Sequence, residues 1–94
     1  MRRYVIERDL AGAGSLSEEQ LQGVRETSNA VLSDTGPGIQ WVQSLVTADR
    51  IYCHYLAENE DMVREHAERG GFPCTKVSEV KSVLDPITAT LQNG

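Results

Sequence analysis

No run of apolar residues in this 94-residue chain approaches the ~20 needed to span a bilayer, and the opening MRRYVIERD has basic residues with no apolar stretch behind them. Neither a membrane span nor a secretory leader is expected, and the protein should be cytoplasmic. Basic residues are few and scattered. Nine Lys and Arg stand against 14 Asp and Glu, the net charge is -5, the pI is near 4.9, and no basic cluster is longer than Arg2-Arg3. Nucleic acid and anionic membrane are poor partners for such a surface, and cations suit it better. Cysteine is limited to Cys53 and Cys74, which lack CxxC spacing and are too few for a disulfide framework, so both are expected to be free thiols. Phosphate loops are missing as well. Ala11-Gly12-Ala13-Gly14 has neither the Lys-Ser/Thr ending of a Walker loop nor the third glycine of GxGxxG, and reads as a plain strand-to-helix connection.

What is present is organised around Trp41 to Pro73. Apolar and β-branched residues fill Trp41 to Val46 and Ile51 to Leu56, and Thr47 to Arg50 between them has the polar character of a hairpin loop, so two antiparallel strands are predicted. Asn59 follows as an N-cap with Glu60 and Asp61 in the first turn, and Gly70-Gly71 with Pro73 ends that helix. Upstream, Arg3 to Asp9 reads as a strand. Ser15 with Glu18 and Ser17 with Gln20 both fit a capping box, and Leu21, Val24, Ser28, Val31 and Leu32 then recur at helical spacing until Gly36-Pro37-Gly38. Downstream, Lys76 to Leu84 is valine-rich and closes at Asp85-Pro86 as a fourth strand, with a docked or frayed end beyond it.

The order β-α-β-β-α-β is the split βαβ pattern of the ferredoxin-like fold, an α+β sandwich with two helices on one face of a four-stranded antiparallel sheet. A single domain covering residues 1–94 is expected, large enough for one two-layer core. Counting back from the hairpin loop, Val46, Ser44 and Val42 pair with Ile51, Cys53 and Tyr55 and face the helices. Ile39, Trp41, Gln43, Leu45, Tyr52, His54 and Leu56 then lie on the open face. By the same alternation Tyr4 and Ile6 turn toward the helices and Val5, Glu7 and Asp9 away. Val80, Ser82 and Leu84 point inward, and Glu79 and Lys81 outward. An open face carrying Trp41, Leu45 and Tyr52 predicts a homodimer closed through the sheets.

Two places could hold a metal. On the open face Glu7, Gln43, His54, Glu79 and Lys81 converge, and an imidazole with two carboxylates suits nickel, zinc or cobalt; ordinary charge pairing around a dimer seam explains the same residues. On the second helix, His66 with Asp61 or Glu65 could form a surface site, against the plainer reading of a histidine whose charge is favoured near a helix C-terminus. Cys53-His54 is no catalytic pair, because adjacent strand residues point to opposite faces.

The blocks YVIERDL with AGAG, GPGIQWVQSLVTADRIYCHYLA, REHAERGGFP and VSEVKSVLDP, in that order and spacing, resemble a family of small bacterial proteins long filed under a domain of unknown function and often named nickel-binding. The resemblance covers nearly the whole chain. It implies a ferredoxin-like homodimer that binds nickel at the dimer surface, with sequestration as a candidate role and no established enzymatic activity. The family pattern commonly has His at position 43, Tyr at 45 and an aliphatic residue at 54, where this chain has Gln43, Leu45 and His54. Gln43 and His54 face each other across the expected hairpin, so the imidazole has moved one strand over and kept its face. His66 matches the family's helical block as it stands.

Three functions follow as expectations. The first is a non-catalytic nickel-binding protein with ligands drawn from His54, His66, Glu7, Glu65 and Glu79, whose affinity falls as pH drops through the ~6.5 of an unperturbed imidazole. The second is a small-molecule enzyme or ligand-binding protein of the dimeric α+β barrel type, its cleft between the sheets lined by Glu7, Trp41, Gln43, Tyr52, His54 and Glu79. The third is an interaction module without a ligand.

Overall fold

The computed structural model describes residues 1–86, so the expected docked or frayed end beyond Pro86 lies outside the described residues. Strand β1 (Arg2–Asp9) leads through a 3-10 turn (Ala13–Ser15) into helix α1 (Glu18–Thr35). The hairpin β2 (Ile39–Val46) and β3 (Arg50–Ala57), helix α2 (Glu60–Gly70) and strand β4 (Lys76–Val80) follow. The sheet order is β2-β3-β1-β4 with every neighbouring pair antiparallel, and the helices cover one face, as the βαββαβ order predicts.

The helix ends are fixed by local chemistry. Of the two capping boxes available in sequence, Ser17 and Gln20 form the real one: the Ser17 hydroxyl accepts the Gln20 N–H at 3.1 Å and the Gln20 side chain accepts the Ser17 N–H at 2.9 Å. Asn59 caps α2 by accepting the Met62 N–H at 3.0 Å, and Gly71 ends it at φ 69°, a left-handed conformation that costs a glycine nothing. Gly14 marks a different constraint, since a Cβ there would stand 3.0 Å from the Ala48 backbone where the β1–α1 connection crosses the hairpin loop.

The core lies under α2. Tyr4 and Ile6 of β1, Ile51, Cys53, Tyr55 and Ala57 of β3, Ile39 of β2, and Val63 and Ala67 of α2 are all buried. Each large apolar side chain there contributes about 1.5–3 kcal/mol relative to exposure. Helix α1 is seated differently: only Ser28 is buried, while Leu21, Val31 and Leu32 are half-buried and Val24 is exposed. The end of α1 that carries Leu21 and Val24 therefore stands off the sheet.

Two registers differ from the expected ones. In the hairpin, Val46 pairs with Ile51, Ser44 with Cys53 and Gln43 with His54, but then Trp41, not Val42, stands opposite Tyr55. Val42 is the extra residue of a β-bulge, and one inserted residue turns everything before it to the other face. Trp41 and Ile39 thus face the helices. Trp41 is half-buried against the core, with its indole Nε1 donating to Ser44 Oγ at 3.0 Å, so the bulge places a large apolar ring under cover and gives its N–H a partner. The open face keeps Val5, Gln43, Leu45, Tyr52, His54 and Leu56 and loses the largest residue of the expected dimer patch.

Strand β4 is also shifted by one and ends at Val80 rather than Leu84. Val77 lies opposite Ile6 and Glu79 opposite Tyr4, so these two share the helix side, whereas Lys76, Ser78 and Val80 share the open side with Glu7, Val5 and Arg3. A clamp at the strand entrance sets this register: the Thr75 N–H donates to the Glu7 carbonyl and the Thr75 hydroxyl accepts the Asp9 N–H, both at 2.9 Å. Ser82 and Leu84 lie past the strand and are exposed.

Candidate functional site

On the open face, His54 is half-buried between Gln43 on β2 and Val5 on β1, with Glu7 one pair further along opposite Tyr52. The imidazole is available, but its acidic neighbours are already engaged. Arg50 bridges Glu7 at 3.3 Å and Asp9 at 2.7 Å, and Lys76 stands opposite Glu7 on the other side. Tyr52 first and Asp9 second hold the Arg50 guanidinium above its ordinary pKa, so it keeps its charge. Glu79, expected beside His54, is on the opposite face of the edge strand, bound to Lys81 at 2.5 Å and Arg2 at 3.4 Å, and Lys81 is the main cause that holds its carboxyl below the usual range. Of the expected five, only Glu7, Gln43 and His54 come together.

The second expected site separates for a different reason. His66 is fully buried between the rings of Tyr55, at 5.1 Å, and Phe72, at 5.8 Å, with Nε2 3.2 Å from Ser28 Oγ and Nδ1 without a partner. Burial, with the nearby Arg8 charge adding to it, lowers its pKa to about 4. It is a neutral core histidine joining α2 to α1, neither a surface ligand nor a charged helix-end residue. Glu65 is exposed on another face of the helix and pairs with Arg69 at 3.3 Å, and Asp61 is exposed. Among the described residues no group of three or more His, Cys, Asp or Glu side chains is placed to hold a metal ion.

The chemistry that sequence reading missed lies on the helix side, where the first turns of α1 stand off the sheet. A cavity of about 340 Å³ opens there, walled by Leu10, Leu21, Val24, Trp41, Val46, Ile51 and Phe72, with Arg8, Ser28, Ser44, Cys53 and Tyr55 supplying its polar atoms. A chain of contacts runs along it: Trp41 Nε1 donates to Ser44 Oγ, and Ser44 Oγ donates to Cys53 Sγ at 3.0 Å. Cys53 Sγ also receives Arg8 Nε at 3.3 Å. The Arg8 guanidinium continues to the Pro73 carbonyl through Nη1 and lies over the Phe72 ring, 5.3 Å from its centroid. Burial raises the pKa of the Tyr55 hydroxyl, Cys53 adds to this, and Arg8 offsets part of it. The available signal was simple. The alternation that turns Tyr4 and Ile6 inward reaches Arg8 next, and a charge at an inward position is itself the anomaly.

Comparison with known proteins gives one family and a shared fold. Residues 4–80 match the family described as nickel responsive protein SCO4226-like. The crystal structure of SCO4226 from Streptomyces coelicolor A3(2) superposes with a TM-score of 0.74 at 19% identity, covering 87% of this chain and 99% of that one. A putative transposase from Deinococcus radiodurans R1 superposes with a TM-score of 0.53 at 15% identity, covering 99% of this chain and 86% of that one. At these identities the structural likeness is one of fold. No curated protein matches the sequence.

Proposed function

The chain belongs to the nickel responsive protein SCO4226-like family, and from that premise we propose that it is a cytoplasmic, non-catalytic protein that binds nickel or a similar divalent ion through His54 on the open sheet face. The observation that carries the reading is the contrast between the chain's two histidines: His66 is sealed in the core, and His54 is the imidazole left facing outward. Nickel(II) accepts imidazole together with carboxylate, amide oxygen or water. One chain offers His54 with Gln43 beside it and Glu7 nearby, which is too few ligands for a closed site. A second copy would supply the rest. Pairing of two open faces through Val5, Leu45, Tyr52 and Leu56 brings two such half-sites together, and the bound ion then links the copies. Among the described residues no helix is long and apolar enough to cross a membrane.

The alternative cleft between sheets is less well supported, because Trp41 and Glu79 have left the face it needs. Isothermal titration of nickel into untagged protein, with light scattering in parallel, tests the proposal. One ion per two chains and loss of binding in His54→Ala are expected, with binding retained in Glu65→Ala. Unchanged binding in His54→Ala would overturn the assignment of the ligand, and no binding by the wild type would overturn the metal function.

A further inference from the structure

The cavity under α1 has one end unlike the rest. Its wall there includes Arg8, only 4% exposed, whose Nη2 has no hydrogen-bond partner, and among the described residues no carboxylate pairs with this cation. We propose that the cavity binds a small apolar monocarboxylate, its body against α1 and its carboxylate on the Arg8 guanidinium. This site is separate from the open face and independent of any metal.

The physical argument starts from the cost of the arginine. A guanidinium is always charged, and burying it without an opposite charge is strongly unfavourable. The Pro73 carbonyl, the Cys53 sulfur and the face of Phe72 offset part of that cost, but none of them is a formal anion partner by itself and the Nη2 protons remain unpaired. Nε and Nη1 already donate to Cys53 and Pro73, so a carboxylate at this wall cancels the charge and accepts from the protons those contacts leave free, those on Nη2 among them. The second cation at the cavity, Arg25, is already held by Glu18 at 2.9 Å and Gln22 at 3.0 Å, so one negative charge is the right number and a phosphate dianion is not favoured. The remaining wall is apolar, which selects a hydrocarbon or aromatic body. A volume of about 340 Å³ is at the lower end of the ~300–1,000 Å³ typical of small-molecule sites.

The test titrates decanoate, kept below its micelle-forming concentration, and decanol into the full chain. Calorimetry is one readout, and the fluorescence of Trp41, the single tryptophan and part of the cavity wall, is the other. Decanoate is expected to bind saturably, one per chain, with a change in Trp41 emission, and decanol at least about tenfold more weakly, the factor that a charge-assisted hydrogen bond supplies. Arg8→Met should remove the preference for the acid. Should that variant fail to fold, Leu21→Trp, which fills the cavity from the half-buried face of α1 and leaves Arg8 in place, should abolish decanoate heat. Equal binding of acid and alcohol by the wild type, binding of neither, or undiminished decanoate binding by Leu21→Trp would each overturn the proposal.

Discussion

Lowering the pH from about 7.5 to about 5.0 should destabilise this protein through His66. In the unfolded chain the ring takes a proton near pH 6.5, whereas in the fold the same ring has a pKa of about 4, because it is sealed between Tyr55 and Phe72 with the Arg8 charge close by. The unfolded state therefore binds the proton first. Stability from this group is complete above pH 6.5 and is lost as pH falls from there toward 4. The full difference corresponds to about 3 kcal/mol, and at pH 5.0 the loss relative to pH 7.5 is about 2 kcal/mol. Rotation of the Ser28 hydroxyl to accept from a protonated Nε2 would reduce both figures somewhat, since that hydroxyl is 3.2 Å away. Urea unfolding followed by Trp41 fluorescence at the two pH values measures the loss. His66→Leu, similar in volume and unable to titrate, should be less stable at pH 7.5 yet lose little between the two. A wild type equally stable at both, or a variant with the same loss, would refute the reasoning.

Three further outcomes are expected. Deleting Val42 should make β2 continuous and leave Trp41 opposite Tyr55 and Ile39 opposite Ala57 under the helices, with the tryptophan emission unshifted; a red-shifted spectrum in a folded variant would show that Val42 is not the extra residue of the bulge. Native protein treated with an aromatic disulfide reagent should react at Cys74, which is half-exposed, and at buried Cys53 only after unfolding, a pattern that peptide mapping reads directly. Ser17→Ala should cost about 1 kcal/mol in urea unfolding and Ser15→Ala close to nothing, because only Ser17 closes a capping box; equal effects would contradict that assignment.

The element types, their order and the side of the sheet taken by most of β1 and β3 were legible in the sequence. They rest on local signals: helical spacing in Leu21, Val24, Ser28 and Leu32, caps at Ser17 and Asn59, the tight loop at Thr47 to Arg50, and alternation through Tyr4 and Ile6. Of the open-face candidates, Glu7, Gln43 and His54 were correctly placed together, since the register holds from the hairpin loop as far as Gln43. What failed were the decisions taken between elements. Nothing local in Trp41-Val42-Gln43 says which residue is left unpaired; that depends on whether an indole gains more under the helices, where Ser44 receives its N–H, than on an open sheet. The face of Glu79 was set at Thr75, by hydrogen bonds to a strand far away in sequence. The same holds for His66 and Arg8. A helix position beside an apolar stripe, or a strand position after two inward residues, becomes a buried neutral imidazole or a buried cation with no carboxylate against it among the described residues only when α1, α2 and the sheet close around it. Periodicity determines which side of an element a residue is on, and tertiary packing alone determines how much water remains there.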